Sequence, residues 1–189
     1  KDNNEFERER RLLKSHLLKG SSQFQLIYFS TTSVLDHNAH TPYIEHKRHM
    51  EEMISQYPHY LILRLPILAS FSKNPHTLLN FIKNHIEEEK HFNLWIHAHR
   101  NILDIEDAIH FSNHCIKDAS LKNQIINIAN PVNVSVVEIL KKMEVLMHKT
   151  ANYTQHPYGS NYDVDIQLIQ SRIPNFNASF DHAYLDKTL

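Results

Sequence analysis

Tyr43 and Lys47 stand four residues apart in the run Tyr43-Ile-Glu-His-Lys47, a spacing that stacks both side chains on one face of a helix. An ammonium beside a phenol stabilises the phenolate, so Lys47 is expected to lower a Tyr43 pKa that starts near ~10. Twelve positions before Tyr43 comes Thr31, inside the cluster Ser30-Thr31-Thr32-Ser33, which directly follows the apolar run FQLIYF. A hydroxyl from that cluster and the phenol can share one substrate oxygen. Any helix can carry Tyr-x-x-x-Lys by chance. The Ser/Thr cluster at a strand end is what gives the pair chemical weight.

Other chemistry-bearing residues have plainer readings beside the functional ones. Arg100 can hold an anionic ligand, or pair with Asp104 or Asp107 on the surface. The histidines number 16, and His37, His40, His46 and His49 invite a metal reading, as do His97 and His99. A zinc site needs three or four convergent ligands. Histidines spread along a whole chain meet by accident, and no metal is expected. Cys115 has His114 and Lys117 as neighbours that leave a helix in other directions, which predicts an inert core thiol. The run Glu87-Glu88-Glu89-Lys90 reads as a solvated helix end.

Composition limits the scaffold. The chain has 189 residues, 41% hydrophobic and 22% charged, which excludes disorder and coiled coil and suits one domain with a small appendage. Twenty basic against 21 acidic residues leave a net charge of -1, so no general field draws nucleic acid or anionic lipid. No run of about 20 apolar residues is available to span a bilayer, and no membrane partner is expected. The single Cys115 cannot form an internal disulfide, which points to a reducing, cytoplasmic setting. Only Gly20 and Gly159 occur, where average usage gives about 13 glycines. Neither phosphate-cradling fingerprint, G-x-G-x-x-G or G-x-x-x-x-G-K, exists in these residues.

The elements alternate. Apolar residues at Phe6, Leu12, Leu13, Leu17 and Leu18 predict an amphipathic helix over 6–18, with Gly20 as its stop. Residues 24–29 read as a strand, 43–54 as a helix capped by Thr41 with Pro42 at its first position, and 61–66 as a strand. A helix is expected from Asn74-Pro75 to about Lys90, then a brief strand over 92–96. Asp104 caps a helix through Ile116, residues 125–129 form a strand, and the capping box Ser135-x-x-Glu138 opens a helix through Met147. A short helix is expected near 164–172. This alternation predicts an α/β fold, a Rossmann-like parallel sheet flanked by helices. Residues 1–149 would form the cofactor and catalytic domain, and 150–189 a small C-terminal substrate-binding segment.

STTSV, Y-I-E-H-K, LRLP and H-R-N-I-L-D-I-E-D occur in that order. Together they resemble the successive motifs of the extended short-chain dehydrogenase/reductases, the NAD-dependent nucleotide-sugar epimerases and dehydratases. The resemblance runs from about Phe24 to Glu138. It implies Tyr43 and Lys47 as the catalytic pair and Thr31, three positions before Val34, as the catalytic hydroxyl. It implies cofactor contacts from Ser30, Tyr43, Lys47 and Pro66, the last closing Arg64-Leu65-Pro66. Arg100, Thr32 and Ser33 are implied as substrate-binding residues, and the Asp of the Arg-(x)6-Asp element, here Asp107, as a helix cap. The family's preceding half carries the glycine-rich turn, so residues upstream of Lys1, or another chain, are expected to cover the sheet's open edge. The loop between Thr31 and Tyr43 is short for the family, which trims the pocket and brings residues 36–41 close to it.

The expected activity is an NAD- or NADP-dependent epimerase or reductase acting on a nucleotide-linked sugar, of the kind that serves polysaccharide biosynthesis. A dehydratase ranks lower, because no Asp-Glu pair follows Thr31. A homodimer is one assembly the resemblance allows. The alternative is a non-catalytic relative that binds a sugar nucleotide or a protein through the same fold.

Overall fold

The computed structural model describes residues 3–18, 24–70, 74, 76–181 and 183–189. In chain order they form α1 (Asn3–Leu18), β1 (Leu26–Thr31), α2 (Pro42–Ser55), β2 (Tyr60–Leu65), β3 (Ile67–Ala69), α3 (Leu78–Glu87) and β4 (Phe92–Trp95). There follow β5 (His99–Arg100), β6 (Ile102–Asp104), α4 (Ile105–Lys117), β7 (Gln124–Asn127), β8 (Val134–Ser135) and α5 (Val136–Met147). The chain ends with β9 (Tyr153–His156), α6 (Gln167–Arg172) and α7 (Tyr184–Thr188), and two 3-10 turns lie at Thr32–Leu35 and Phe176–Ser179.

β1, β2 and β7 make a parallel sheet in the order β1-β2-β7, with Thr31 opposite Leu65 and Leu61 opposite Gln124. Alternation along β2 divides its side chains between two faces. Leu61 and Leu63 join Ala108, Phe111 and Cys115 of α4 in one apolar cluster. Ile62, one residue out of phase, is fully buried on the other face, and α2 packs against both β1 and β2. A parallel sheet flanked by helices is what the alternation of elements predicts.

Local chemistry sets the helix ends. Thr41 Oγ1 accepts from Ile44 N at 3.3 Å and Pro42 takes the first position of α2, where its missing N–H is not needed. Asp104 caps α4 by accepting from Glu106 N at 2.8 Å. Ser135 Oγ caps α5 through Val137 N at 3.2 Å. The helix expected from Asn74 begins instead at Leu78, capped by Thr77. Asn74 Oδ1 accepts from His76 N at 3.1 Å, a local turn that competes with helix. The same helix ends at Glu87 rather than Lys90, because Glu89 adopts a left-handed φ of 55°. Gly20 and Pro75 lie outside the described residues.

The expected strand over 92–96 pairs in parallel with β9 rather than joining β1 and β2, while β3 pairs with β6 and β5 runs antiparallel to β8. A second apolar cluster forms there from Ile82 and Ile86 of α3, Phe92 and Leu94 of β4, and Ile139 and Leu140 of α5. Residues after 150 reach both interiors: Ile169 and Tyr184 enter the first cluster and Leu185 the second. Cys115 is buried in the first cluster, and burial followed by the Asp118 charge pushes its thiol up to about 11.

Gly159 lets the segment after β9 approach 97–99. Its φ is +131°, and a Cβ there would sit 2.2 Å from the Ala98 backbone nitrogen. Gly159→Ala should therefore destabilise the protein by about 2–4 kcal/mol, combining a strained backbone with overpacking. A thermal melt of the variant checks this, and an unchanged midpoint would show that the two segments separate freely.

Candidate active site

β1 ends at the residues expected to do chemistry. Thr31 is its last residue and caps the following 3-10 turn, its Oγ1 accepting from Ser33 N at 3.2 Å and lying 3.2 Å from Ser33 Oγ. Tyr43, second residue of α2, lies close enough to the Thr31 hydroxyl for that group to favour its phenolate. Lys47 follows one turn later on the same helix. Ser30 is 7% exposed, and its hydroxyl has no hydrogen-bond partner among the described residues. Thr32 is buried, and Ser33 and Pro66 are half-buried, Pro66 directly after β2.

Arg100 sits in a neighbouring cluster. Its Nη1 donates to the carbonyls of His99 at 2.7 Å and Ser160 at 3.2 Å. Among the described residues it pairs with neither Asp104 nor Asp107. The helix cap is Asp104 rather than Asp107, whose carboxylate accepts from Tyr184 Oη at 2.8 Å. Ser160 carries the connection onward, its Oγ donating to Asp36 Oδ2 at 2.7 Å. Arg48 holds the short loop that leads to Tyr43, donating to the carbonyls of Val34, Asp36 and Ala39 at 2.8 to 3.2 Å.

Tyr43 is tuned in the direction opposite to the sequence expectation. Burial pushes its phenol above the usual value, the Glu9 carboxylate pushes it further, and the nearby Thr31 hydroxyl only partly opposes them. Lys47 does not lower it because the ammonium already faces an anion. Lys47 Nζ donates to Glu9 Oε1 at 2.9 Å and to Tyr28 Oη at 2.7 Å, and Tyr28 Oη donates to the same Oε1 at 2.8 Å. His46 Nε2 lies 2.9 Å from Glu9 Oε2, and the Phe6 ring stacks on the His46 imidazole at 4.4 Å.

Burial opposes ionisation of Glu9, but the hydrogen bonds from His46, Lys47 and Tyr28 outweigh it and bring the carboxyl down from 4.5 to about 2. A depressed carboxyl pKa stabilises the fold fully above the ordinary value and loses that contribution only as pH falls towards about 2. Burial first, then the Glu9 hydrogen bond, pushes the Tyr28 phenol far up, so Tyr28 remains a donor. A cavity of about 310 Å³ adjoins the cluster, lined by Glu5, Phe6, Arg8, Glu9, Leu12 and Tyr43.

Sequence reasoning singled out neither Glu9 and Tyr28 nor Arg48 and Ser160. For Glu9 a signal was present. Phe6, Glu9, Leu13 and Leu17 recur at helical spacing, and all four are half-buried. A carboxylate on an apolar stripe implies a cationic partner on whatever the stripe packs against. Among the described residues no group of three or more His, Cys, Asp or Glu side chains could hold a metal ion, and no helix is long and apolar enough to cross a membrane.

No protein-family model matches the sequence, and no curated protein does. Solved structures do. UDP-glucuronic acid 4-epimerase from Bacillus cereus, in complex with UDP-glucuronic acid and NAD, superposes with a TM-score of 0.70 at 16% identity, over 94% of this chain and 67% of that one. dTDP-glucose 4,6-dehydratase from Bacillus anthracis, in complex with NAD, gives 0.67 at 17% identity over 85% of this chain and 58% of its own. RMD from Pseudomonas aeruginosa, complexed with NADPH, gives 0.67 at 12% identity, covering 85% and 63%. The chain thus spans roughly three-fifths to two-thirds of each relative. Nearly all of its own length has the Rossmann-like fold of nucleotide-sugar epimerases and dehydratases.

Proposed function

We propose that this chain is the catalytic part of an NAD- or NADP-dependent epimerase or reductase acting on a nucleotide-linked sugar. The observation that carries the proposal is the meeting of Thr31 with Tyr43, and Lys47 one turn away, at the carboxyl end of a parallel sheet, where open α/β folds take ligands. The residues suit the nicotinamide end of a dinucleotide. Ser30 offers a buried hydroxyl without a partner among the described residues. Lys47 uses two of its three ammonium protons, which leaves one for a ribose hydroxyl. Pro66 would border the ring from the end of β2. When bound, the dinucleotide supplies a hydride acceptor or donor.

The protein's own groups handle the proton. A raised pKa keeps Tyr43 as the phenol, the proton donor needed when a sugar carbonyl is reduced. In the oxidising half of an epimerisation the same oxygen, as phenolate, would take the hydroxyl proton. Thr31 orients that phenol and shares the same oxygen. Thr32, Ser33 and Arg100 would line the sugar side, with residues 150–189 contributing through the Ser160 link. A dehydratase stands below epimerase and reductase, because no Asp-Glu pair follows Thr31.

The test is turnover by the full-length protein on a panel of nucleotide sugars with NAD and NADP. Arg100→Ala should raise KM with a smaller change in kcat, the signature of lost uniform binding. Unchanged kinetics with a lower melting temperature would reduce Arg100 to a brace for Ser160. A full-length protein that binds no dinucleotide would replace the enzyme reading with that of a non-catalytic relative.

A further inference from the structure

We infer that Glu9 is a positioning residue for the Tyr43–Lys47 site: reaching from α1, its carboxylate fixes the Lys47 ammonium against Tyr28 beside the cavity that Tyr43 lines. The inference rests on the enzyme reading above for what the site does, but its geometry stands independently. Three side chains from two elements converge on one carboxylate. From α2 come Lys47 at 2.9 Å and His46 at 2.9 Å, and from β1 comes Tyr28 at 2.8 Å. Lys47 also lies over the Tyr28 ring, 4.6 Å from its centroid. The partners are well enclosed, the Lys47 side chain 13% exposed and that of His46 only 8%, while the Glu9 side chain itself is 36% exposed.

An isolated lysine on a four-carbon stem is a flexible point charge. Two hydrogen bonds to partners that also bond each other remove that freedom. They define where the third ammonium proton can be offered, which is what a ribose hydroxyl needs. The anion has a second effect on its neighbour. Glu9 and Tyr43 line the same cavity, and the negative charge disfavours a phenolate there. Glu9 therefore both orients the cation and opposes ionisation of the acid. The groups facing it are Lys47, His46 and Tyr43 from α2 and Tyr28 from β1, with Glu5 and Arg8 alongside on α1. Arg8 is held by Glu5 through an exposed contact at 3.4 Å, so Lys47 is the cation directly on the carboxylate, beside the His46 imidazole.

The experiment uses Glu9→Gln in the full-length protein, which keeps the side chain's length and one acceptor while removing the charge. Phenol ionisation is titrated by ultraviolet difference absorbance without cofactor, and Tyr43 is isolated by subtracting the same titration on a Tyr43→Phe background. The expected result is a Tyr43 midpoint lower by about one pH unit. NAD or NADP affinity, measured by calorimetry, should weaken by about tenfold as Lys47 loses its charged anchor. Tyr28→Phe, which keeps the ion pair and removes the two hydrogen bonds of the phenol, should shift affinity less. An unchanged Tyr43 midpoint together with unchanged dinucleotide affinity in Glu9→Gln would overturn the inference and leave Glu9 as a tie for α1. Failure of the enzyme reading looks different: no dinucleotide binds the wild-type protein, yet the Tyr43 midpoint, read without cofactor, still moves.

Discussion

Tyr43→Phe should lower turnover by ~10²–10⁴-fold, the range for loss of a general acid/base, while fold and dinucleotide affinity persist. The substitution removes one oxygen. That oxygen lies near the Thr31 hydroxyl at the end of β1, and the ring remains to fill the same space. Dinucleotide affinity should hold because Ser30, Lys47 and Pro66 keep their places at the proposed nicotinamide end and Tyr43 gives up only its hydroxyl. The measurement is a comparison of kcat, dinucleotide affinity and melting temperature for both proteins on the best nucleotide-sugar substrate. Activity within a few fold of wild type would remove Tyr43 from the chemistry, and the enzyme assignment with it. Loss of dinucleotide binding would instead show that the hydroxyl supports the cofactor site.

Glu51→Ala should cost about 3–5 kcal/mol, because it leaves a buried guanidinium without its anion. Glu51 lies on the inner face of α2 and Arg64 on β2. Nε of Arg64 donates to Oε1 at 3.0 Å and Nη2 to Oε2 at 2.6 Å, with side-chain exposures of 7% for Glu51 and 18% for Arg64. The pair clamps the helix that carries Tyr43 and Lys47 onto the central strand. A double variant, Glu51→Leu with Arg64→Met, removes both charges together and should recover most of the loss. Urea unfolding checks both, with a lower midpoint at unchanged slope for the single variant. A loss below about 1 kcal/mol for Glu51→Ala would mean that water, not the protein, solvates the pair.

The parts of the fold legible in the sequence are those decided locally. β1, α2 and β2 announce themselves through an aromatic run, a Thr-Pro entry and a second apolar run, and each lies within two residues of its expected bounds. Strands of two or three residues, such as β3, β5, β6 and β8, have no period of their own and exist only because a distant partner lies alongside. β9 reads as a polar tail until Phe92 is seen opposite Tyr153. The proximity of Thr31 and Tyr43 follows from strand-end and helix-start positions, so the sequence carried it. The sign of the Tyr43 shift did not follow, because it depends on a carboxylate 34 positions earlier whose docking no spacing rule encodes.

The division of the interior into two apolar clusters leaves a natural reporter inside one and another at the edge of the second. Cys115, the single cysteine, lies in the cluster under α4, with its thiol shielded and held protonated. Trp95, the single tryptophan, ends β4 half-exposed, on the strand face opposite Leu94 of the other cluster, and pairs with His156 of β9. Thiol labelling thus clocks the opening of one half, and indole fluorescence follows the parting of β4 from β9 at the edge of the other, with no engineered probe. Coincident transitions would mean that the halves melt as one cooperative unit, and separated ones that each is a foldon with its own stability.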